Sequence, residues 1–131
     1  MDSQVQTLLQ GVHLVEENEN LPVSATRQRS AFPPNFVHSL DSTHMLLTAV
    51  EMEKRGIPFA AVHDSYWVHP GHVDEMSAAL RQCFVDLYSQ PILEDLHRSL
   101  CLRFPKVDFP PVPERGSLEL KSVKDSKYFF H

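Results

Sequence analysis

The stretch Pro58-Phe59-Ala60-Ala61-Val62-His63-Asp64-Ser65-Tyr66-Trp67-Val68 holds two short apolar runs separated by a polar turn. Small, β-branched and aromatic residues on both sides, with Pro58 as an opening break, predict a buried antiparallel β-hairpin that carries an acidic residue at its tip. Such a hairpin anchors a carboxylate through its apolar flanks and presents it rigidly at a sheet edge, a placement that suits a metal ligand. Mg²⁺ takes a few carboxylate oxygens together with waters and phosphates, so Asp64 needs a second carboxylate from elsewhere to complete a two-ion site. Spacing alone fits better an aspartate that bonds its own turn, since Asp-Ser is ordinary turn chemistry.

Working outward, the hairpin is preceded by a helical pattern after Asn35. Leu40, Leu47, Val50 and nearby Met and Ala residues make a wide apolar face, Ser39, Asp41 or Ser42 are candidate N-caps, and Gly56 is the expected stop. Upstream of that, Gln4 to Val15 is rich in strand formers, and Glu16 to Leu21 is an acidic turn ending at Pro22. Val23 to Ser30 carries Arg27, Gln28 and Arg29 into an expected break at Pro33 and Pro34. Downstream, Pro70 and Gly71 lead into a helix with Met76, Leu80, Cys83, Phe84, Leu87 and Tyr88 on one face. Pro91 opens another with Leu93, Leu96 and Leu100. Beyond Phe104, Pro105, Pro110, Pro111 and Pro113 exclude regular structure and predict an extended connector. Ser117 to Leu120 alternates like a brief strand, and the aromatics Tyr128, Phe129 and Phe130 predict a docked end.

The expected class is therefore α+β, helices packed on a short antiparallel hairpin. Four stretches follow one another: a strand and basic approach segment (1–31), a helix and the Asp64 hairpin (32–69), two helices (70–103), and a Pro-rich connector with an aromatic end (104–131). At 131 residues the chain has room for one compact domain or a piece of one.

With 42% hydrophobic and 22% charged residues, the composition is that of a globular domain, and no apolar run approaches bilayer length. Met1 to Asn20 has four acidic residues and no Lys or Arg, which matches neither a secretory signal nor an Arg-rich transit peptide. Cys83 and Cys101 form neither a disulfide framework nor a C-x-x-C knuckle and read as two small core residues. A net charge of −5 has the wrong sign for binding nucleic acid through the overall field, so any such role is local or depends on further chain.

The string Phe32-Pro33-Pro34-Asn35-Phe36-Val37-His38-Ser39-Leu40-Asp41-Ser42-Thr43-His44-Met45, followed after one helix by Val62-His63-Asp64-Ser65-Tyr66-Trp67, resembles the bacteriophage-type single-subunit DNA-directed RNA polymerases, the mitochondrial enzymes among them. The likeness extends over nearly the whole chain and is densest from Ala25 to Trp67. The Tyr-Phe-Phe ending also looks like mitochondrial members, which implies that the natural C-terminus is present.

The resemblance implies a C-terminal piece of the polymerase palm and fingers region. In it the His-Asp hairpin is motif C, Asp64 helps bind the two Mg²⁺ ions of nucleotidyl transfer, and His63 is its active-site neighbour. His38 matches a position near the primer-template end, able to hydrogen-bond a base edge or sugar in the minor groove; a capping histidine at the helix start is the alternative. Arg27, Gln28 and Arg29 match the family's approach to nucleic acid, where guanidinium groups contact phosphates; a solvated basic patch is the alternative. Asp41 is expected to cap or brace its helix, because the family takes its second metal ligand from motif A, which this chain lacks along with the fingers helix and the promoter-binding region. Implied partners are the DNA template, the RNA transcript, nucleoside triphosphates, the rest of the polymerase and mitochondrial transcription factors. The implied place is the mitochondrial matrix, with the plastid as alternative.

Three other chemistries fit less well. His63, His69 and His72 with Asp64 and Asp74 match neither H-E-x-x-H nor a zinc finger. Ser39 and Ser65 lack a G-x-S-x-G elbow. Related palm DNA polymerases continue the His-Asp turn with Glu, where this chain has Ser65. A non-enzyme reading, in which the chain is a truncated remnant or accessory piece, applies to the polypeptide in isolation.

Overall fold

The computed structural model describes residues 2–6, 11–15 and 22–129, the first two segments through their backbone alone. The chain divides into two compact units, Met1–Phe36 and Val37–His131. In the first, β1 (Asp2–Gln6) pairs antiparallel with β2 (Gly11–Val15), with Asp2 opposite Val15 and Gln6 opposite Gly11. The strand expected from Gln4 to Val15 is thus two strands folded on each other. The acidic turn expected at Glu16 to Leu21 lies outside the described residues.

The long helix α1 (Ala25–Lys54) begins well before the expected start after Asn35. Its N-cap is Ser24, whose Oγ accepts from the Arg27 amide at 3.4 Å while its carbonyl accepts from Gln28 at 3.0 Å. Ser39, Asp41 and Ser42 are consequently interior residues and cap nothing. Pro33 and Pro34 lie inside the helix rather than ending it. Their fixed φ is helical, and the two donors they remove would have served the carbonyls of Arg29 and Ser30, exposed residues whose carbonyls water can satisfy.

The end of α1 follows from one residue. Gly56 has φ +68°, its amide donates to the Glu53 carbonyl at 2.9 Å, and the Ile57 amide donates to Met52 at 3.0 Å, the paired bonds of a Schellman motif. The accompanying apolar contact is also there: Met52 and Ile57 are both in the core cluster. A Cβ at position 56 would meet nothing within 4 Å, so the cost of a side chain is conformational. Gly56→Ala is expected to destabilise the protein by about 1–2 kcal/mol, read as a lowered denaturant midpoint at unchanged slope, and Gly56→Asn by less.

After Gly56 the chain enters β3 (Phe59–Val62) and returns as β4 (Ser65–Val68), in antiparallel register Phe59 to Val68 and Val62 to Ser65. The predicted hairpin is present, but it is half-buried, not buried. Phe59, Ala61, Tyr66 and Val68 face inward, whereas Val62 and Trp67 are 57% and 53% exposed. Two strands cover only one side of the helices, and strand alternation sends every second residue outward.

A 3₁₀ turn at Pro70–His72 leads into α2 (Val73–Tyr88), and α3 (Ile92–Arg103) follows Pro91, both as the periodicity predicts. Asp74 and Glu75 at the start of α2, and Glu94 and Asp95 at the start of α3, complement the positive ends of the helix dipoles. The core of the second unit is Met52, Ile57 and Ala79, with Phe59, Val68 and Met76 packed on it, so α1, the hairpin and α2 share one centre.

The buried stripe of α1 is the expected one only in part, through Met52. His44, Thr48 and Met52 are buried, while Leu47 and Val50 are 41% and 50% exposed. The two polar members are satisfied: the His44 ring nitrogen Nε2 bonds the Leu80 carbonyl at 2.8 Å, and the Thr48 hydroxyl donates to the His44 carbonyl at 2.9 Å. Among the described residues no buried side-chain polar atom lacks a partner. Cys83 is buried, and desolvation raises its thiol pKa, with the nearby Thr48 hydroxyl working the other way; Cys101 is half-buried, and both cysteines are free.

Past α3 the chain is irregular, as its prolines require. It is tied back where Arg115 donates to the Gln90 carbonyl at 2.8 Å and where Phe109 meets the His97 ring edge-on at 6.4 Å. The brief strand expected at Ser117 to Leu120 does not form; a 3₁₀ turn at Leu120–Lys124 stands there instead, since no neighbouring strand offers it a ladder. No helix among the described residues is long and apolar enough to cross a membrane.

Candidate active site

His63 and Asp64 are the two central residues of the hairpin turn, between Val62 and Ser65. His63 has φ +54° and Asp64 does not take a positive φ, the sign pattern of a tight hairpin turn with its first central residue left-handed. A non-glycine residue in that region is costly and persists where the surroundings over-determine it, here the paired strands on both sides. The consequence is a constrained backbone at the turn that carries Asp64, whose side chain is exposed.

Beside the turn lies an open cleft of about 940 Å³, lined by His38, Asp41, Ser42, His44 and Met45 from α1, by His63, Asp64 and Tyr66 from the hairpin, and by Phe129 from the C-terminal segment. His38, His63 and Asp64, named from the sequence, are therefore brought together in one concavity. His38 is interior to α1 and exposed, which removes the capping role as its explanation. Arg27, Gln28 and Arg29 belong to the other unit, exposed on the first turns of α1, and are not among the cleft residues.

Asp41, expected to cap or brace its helix, is interior to α1 and does not cap it. It lines the same cleft as Asp64, and its charge reaches two phenols. Burial raises the Tyr66 pKa above its ordinary value, and the charges of Asp41 and Asp64 raise it further; burial and Asp41 do the same to Tyr88. The Tyr66 ring packs on Phe59 at 5.6 Å, which holds it on the inner face of the hairpin. Removing either negative charge eases ionisation of the phenol, so Asp41→Asn and Asp64→Asn are each expected to lower the Tyr66 pKa while leaving it above the ordinary range, because burial remains. A pH titration of the Tyr66 ring by NMR checks this, and an unchanged midpoint in both variants would contradict it.

The donor set decides what the cleft can hold. An exposed carboxylate at a rigid turn is a suitable hard oxygen ligand for Mg²⁺. Among the described residues, however, no group of three or more His, Cys, Asp or Glu side chains is arranged to hold a metal. The fit is partial: Asp64 can supply one carboxylate, and a complete ion site needs ligands from further chain or from substrate phosphates.

A family profile described as DNA-dependent RNA polymerase matches residues 1–108. The chain is 54% identical over 127 residues to the "DNA-directed RNA polymerase 2, chloroplastic/mitochondrial" of Arabidopsis thaliana, an alignment covering 97% of this chain and 12% of that protein. It is 50% identical to the "DNA-directed RNA polymerase 1, mitochondrial" of Nicotiana sylvestris, again over 97% of this chain and 12% of the relative. The "DNA-directed RNA polymerase 1A" of Nicotiana tabacum is 50% identical, with 97% of this chain and 81% of that protein aligned. Against the first two relatives the chain thus spans about an eighth of their length. With the profile running from the first strand through α3 and half of all positions shared with these proteins, the chain belongs to the DNA-dependent RNA polymerase family.

Proposed function

We propose that this chain is the C-terminal catalytic portion of a single-subunit organellar RNA polymerase, and that in the complete polypeptide Asp64 is one of the carboxylates holding the Mg²⁺ ions of nucleotidyl transfer. The observation that carries this reading is the position of Asp64: an exposed carboxylate on a constrained two-residue turn, in a cleft that also holds His63 and His38. When bound, Mg²⁺ supplies charge neutralisation at the transferring phosphoryl group and activation of the attacking hydroxyl. Asp64 orients its oxygens toward the cleft, and the left-handed His63 fixes that orientation. His38 offers an imidazole to a base edge or sugar at the growing end of the transcript, and template pairing chooses the base. Arg27 and Arg29 contact phosphates through their guanidinium groups, with Gln28 between them as a neutral donor.

The substrates on this reading are a DNA template, the RNA transcript and nucleoside triphosphates, and the direct partner is the remainder of the polymerase chain, followed by organellar transcription factors. The compartment is the mitochondrial matrix; the plastid is the alternative, because relatives are named for both organelles. The test is synthesis by the complete polypeptide on a primed single-stranded DNA template. Product is expected from ribonucleoside triphosphates and to require a divalent cation. Preferential use of deoxynucleotides would instead favour a palm-family DNA polymerase.

A further inference from the structure

One cation on α2 has no part in the reading above, yet it gathers several hydrogen bonds and an aromatic ring. Arg81 is half-buried, and its Nη1 donates to the Val123 carbonyl at 2.6 Å, to the Ser126 carbonyl at 2.8 Å and, more weakly, to Lys124 at 3.4 Å. Nε reaches the Ser77 hydroxyl at 3.5 Å, and the guanidinium carbon lies 5.1 Å from the centre of the Phe129 ring. Val123 and Lys124 are the last residues of the 3₁₀ turn at Leu120–Lys124 and Ser126 lies just past it, so the guanidinium joins the amides of Asp125 and Ser126 on the Val123 carbonyl and binds the end of the turn at two further carbonyls. A planar guanidinium with several fixed donors and a face for stacking can gather them and an aromatic ring at once; an ammonium has no such plane.

The contacts continue from there into the cleft. Phe129 meets Phe84 edge-on at 5.1 Å, and Phe84 meets His44 edge-on at 5.5 Å, so the terminal ring is braced on the α1–α2 interface. Lys124 bonds the Gln82 side chain, and the Ser126 hydroxyl donates to the Tyr128 carbonyl at 2.8 Å, which ties the same segment at two more points. Phe129 lines the cleft that holds Asp64.

We propose that Arg81 is a positioning residue: it clamps residues 119–129 onto α2 so that the Phe129 ring forms a fixed wall of the Asp64 cleft. Substrate handling in the cleft then depends on a guanidinium that is not among the residues lining it. The clamp stands on the contacts alone; its bearing on turnover rests on the polymerase reading.

The test uses the complete polypeptide with Arg81→Ala, Arg81→Lys, Phe129→Ala and the Arg81→Ala/Phe129→Ala pair, and two readouts. In hydrogen exchange, the amides of Ser122, Asp125 and Ser126, which bond carbonyls within the segment, are expected to exchange about tenfold faster in Arg81→Ala, a loss on the scale of a charge-assisted hydrogen bond, with α1 and α2 amides unchanged. In primed RNA synthesis, Arg81→Ala and Phe129→Ala are each expected to lower kcat/KM about tenfold, the pair no further than either alone, and Arg81→Lys to recover little. Unchanged exchange in Arg81→Ala overturns the clamp whatever the activity. Faster exchange with normal synthesis, or additive losses in the pair, overturns the positioning role. If the unaltered polypeptide makes no RNA, it is the polymerase reading that fails, and the exchange measurement still decides the clamp.

Discussion

Asp64→Asn in the complete polypeptide is expected to lower template-directed RNA synthesis by at least about three orders of magnitude while leaving affinity for primed template nearly unchanged. The substitution keeps the size of the side chain and removes one negative charge, so the hairpin has no reason to refold. A metal-bound transition state draws several kcal/mol from its ligands' charge, and each 1.36 kcal/mol is about tenfold in rate. Template affinity is dominated by contacts to phosphates elsewhere. Asp41→Asn is the internal comparison: it removes a carboxylate from the same cleft, but from the side of α1 rather than the constrained turn, and a much smaller loss is expected. Near-normal elongation by Asp64→Asn, measured by single-nucleotide extension of a labelled primer, would refute the catalytic assignment.

The second large effect concerns the chain by itself. The 131 residues alone are expected to give no Mg²⁺-dependent RNA synthesis, because Asp64 has no cluster of further ligands among the described residues to complete an ion site. The outer face of the hairpin, with Val62 and Trp67 exposed, fits a segment whose remaining neighbours lie in other parts of a longer chain. Extension of a primer by the purified 131-residue chain, unaffected by Asp64→Asn, would overturn this account at once, since it would place catalysis in residues not considered as the site.

Where local rules act alone, the sequence was legible. The presence of the hairpin, the stop at Gly56 and both later helices follow from two apolar runs around a polar turn, a left-handed glycine and helical periodicity, and the structure agrees with each. Legibility failed where tertiary contacts override local preference. Pro33 and Pro34 read as a break, yet proline's φ fits a helix and water can serve the carbonyls left without donors. Leu47 and Val50 read as the buried stripe of α1, yet the helix buries His44 and Thr48, because a ring nitrogen on the Leu80 carbonyl and a hydroxyl on the His44 carbonyl satisfy them. No hydrophobic pattern marks a polar stripe of that kind.

The candidate site shows the same division. His63 and Asp64 are adjacent in sequence, so their shared turn could be read directly. His38 enters through the family likeness. A capping role for Asp41 depends on a helix start beside it; with the start at Ala25 that role is gone, and the residue lines the cleft. Phe129 and Arg81 are distant from the hairpin in sequence, and only the folded chain brings Arg81 to the C-terminal carbonyls and Phe129 to the cleft.

The central claim, that Asp64 seats a catalytic metal, is tested most directly by letting the metal report its own position. Fe²⁺ can occupy oxygen-ligand sites that bind Mg²⁺ and, with a reductant and peroxide, generates hydroxyl radicals that cut polypeptide close to where it is bound. In the complete polypeptide with primed template and nucleoside triphosphate, scission is expected at and around residues 63–65, competed away by excess Mg²⁺ and lost in Asp64→Asn. Competable scission elsewhere in the polypeptide with none at the hairpin, or a hairpin cut that survives Asp64→Asn, would contradict it.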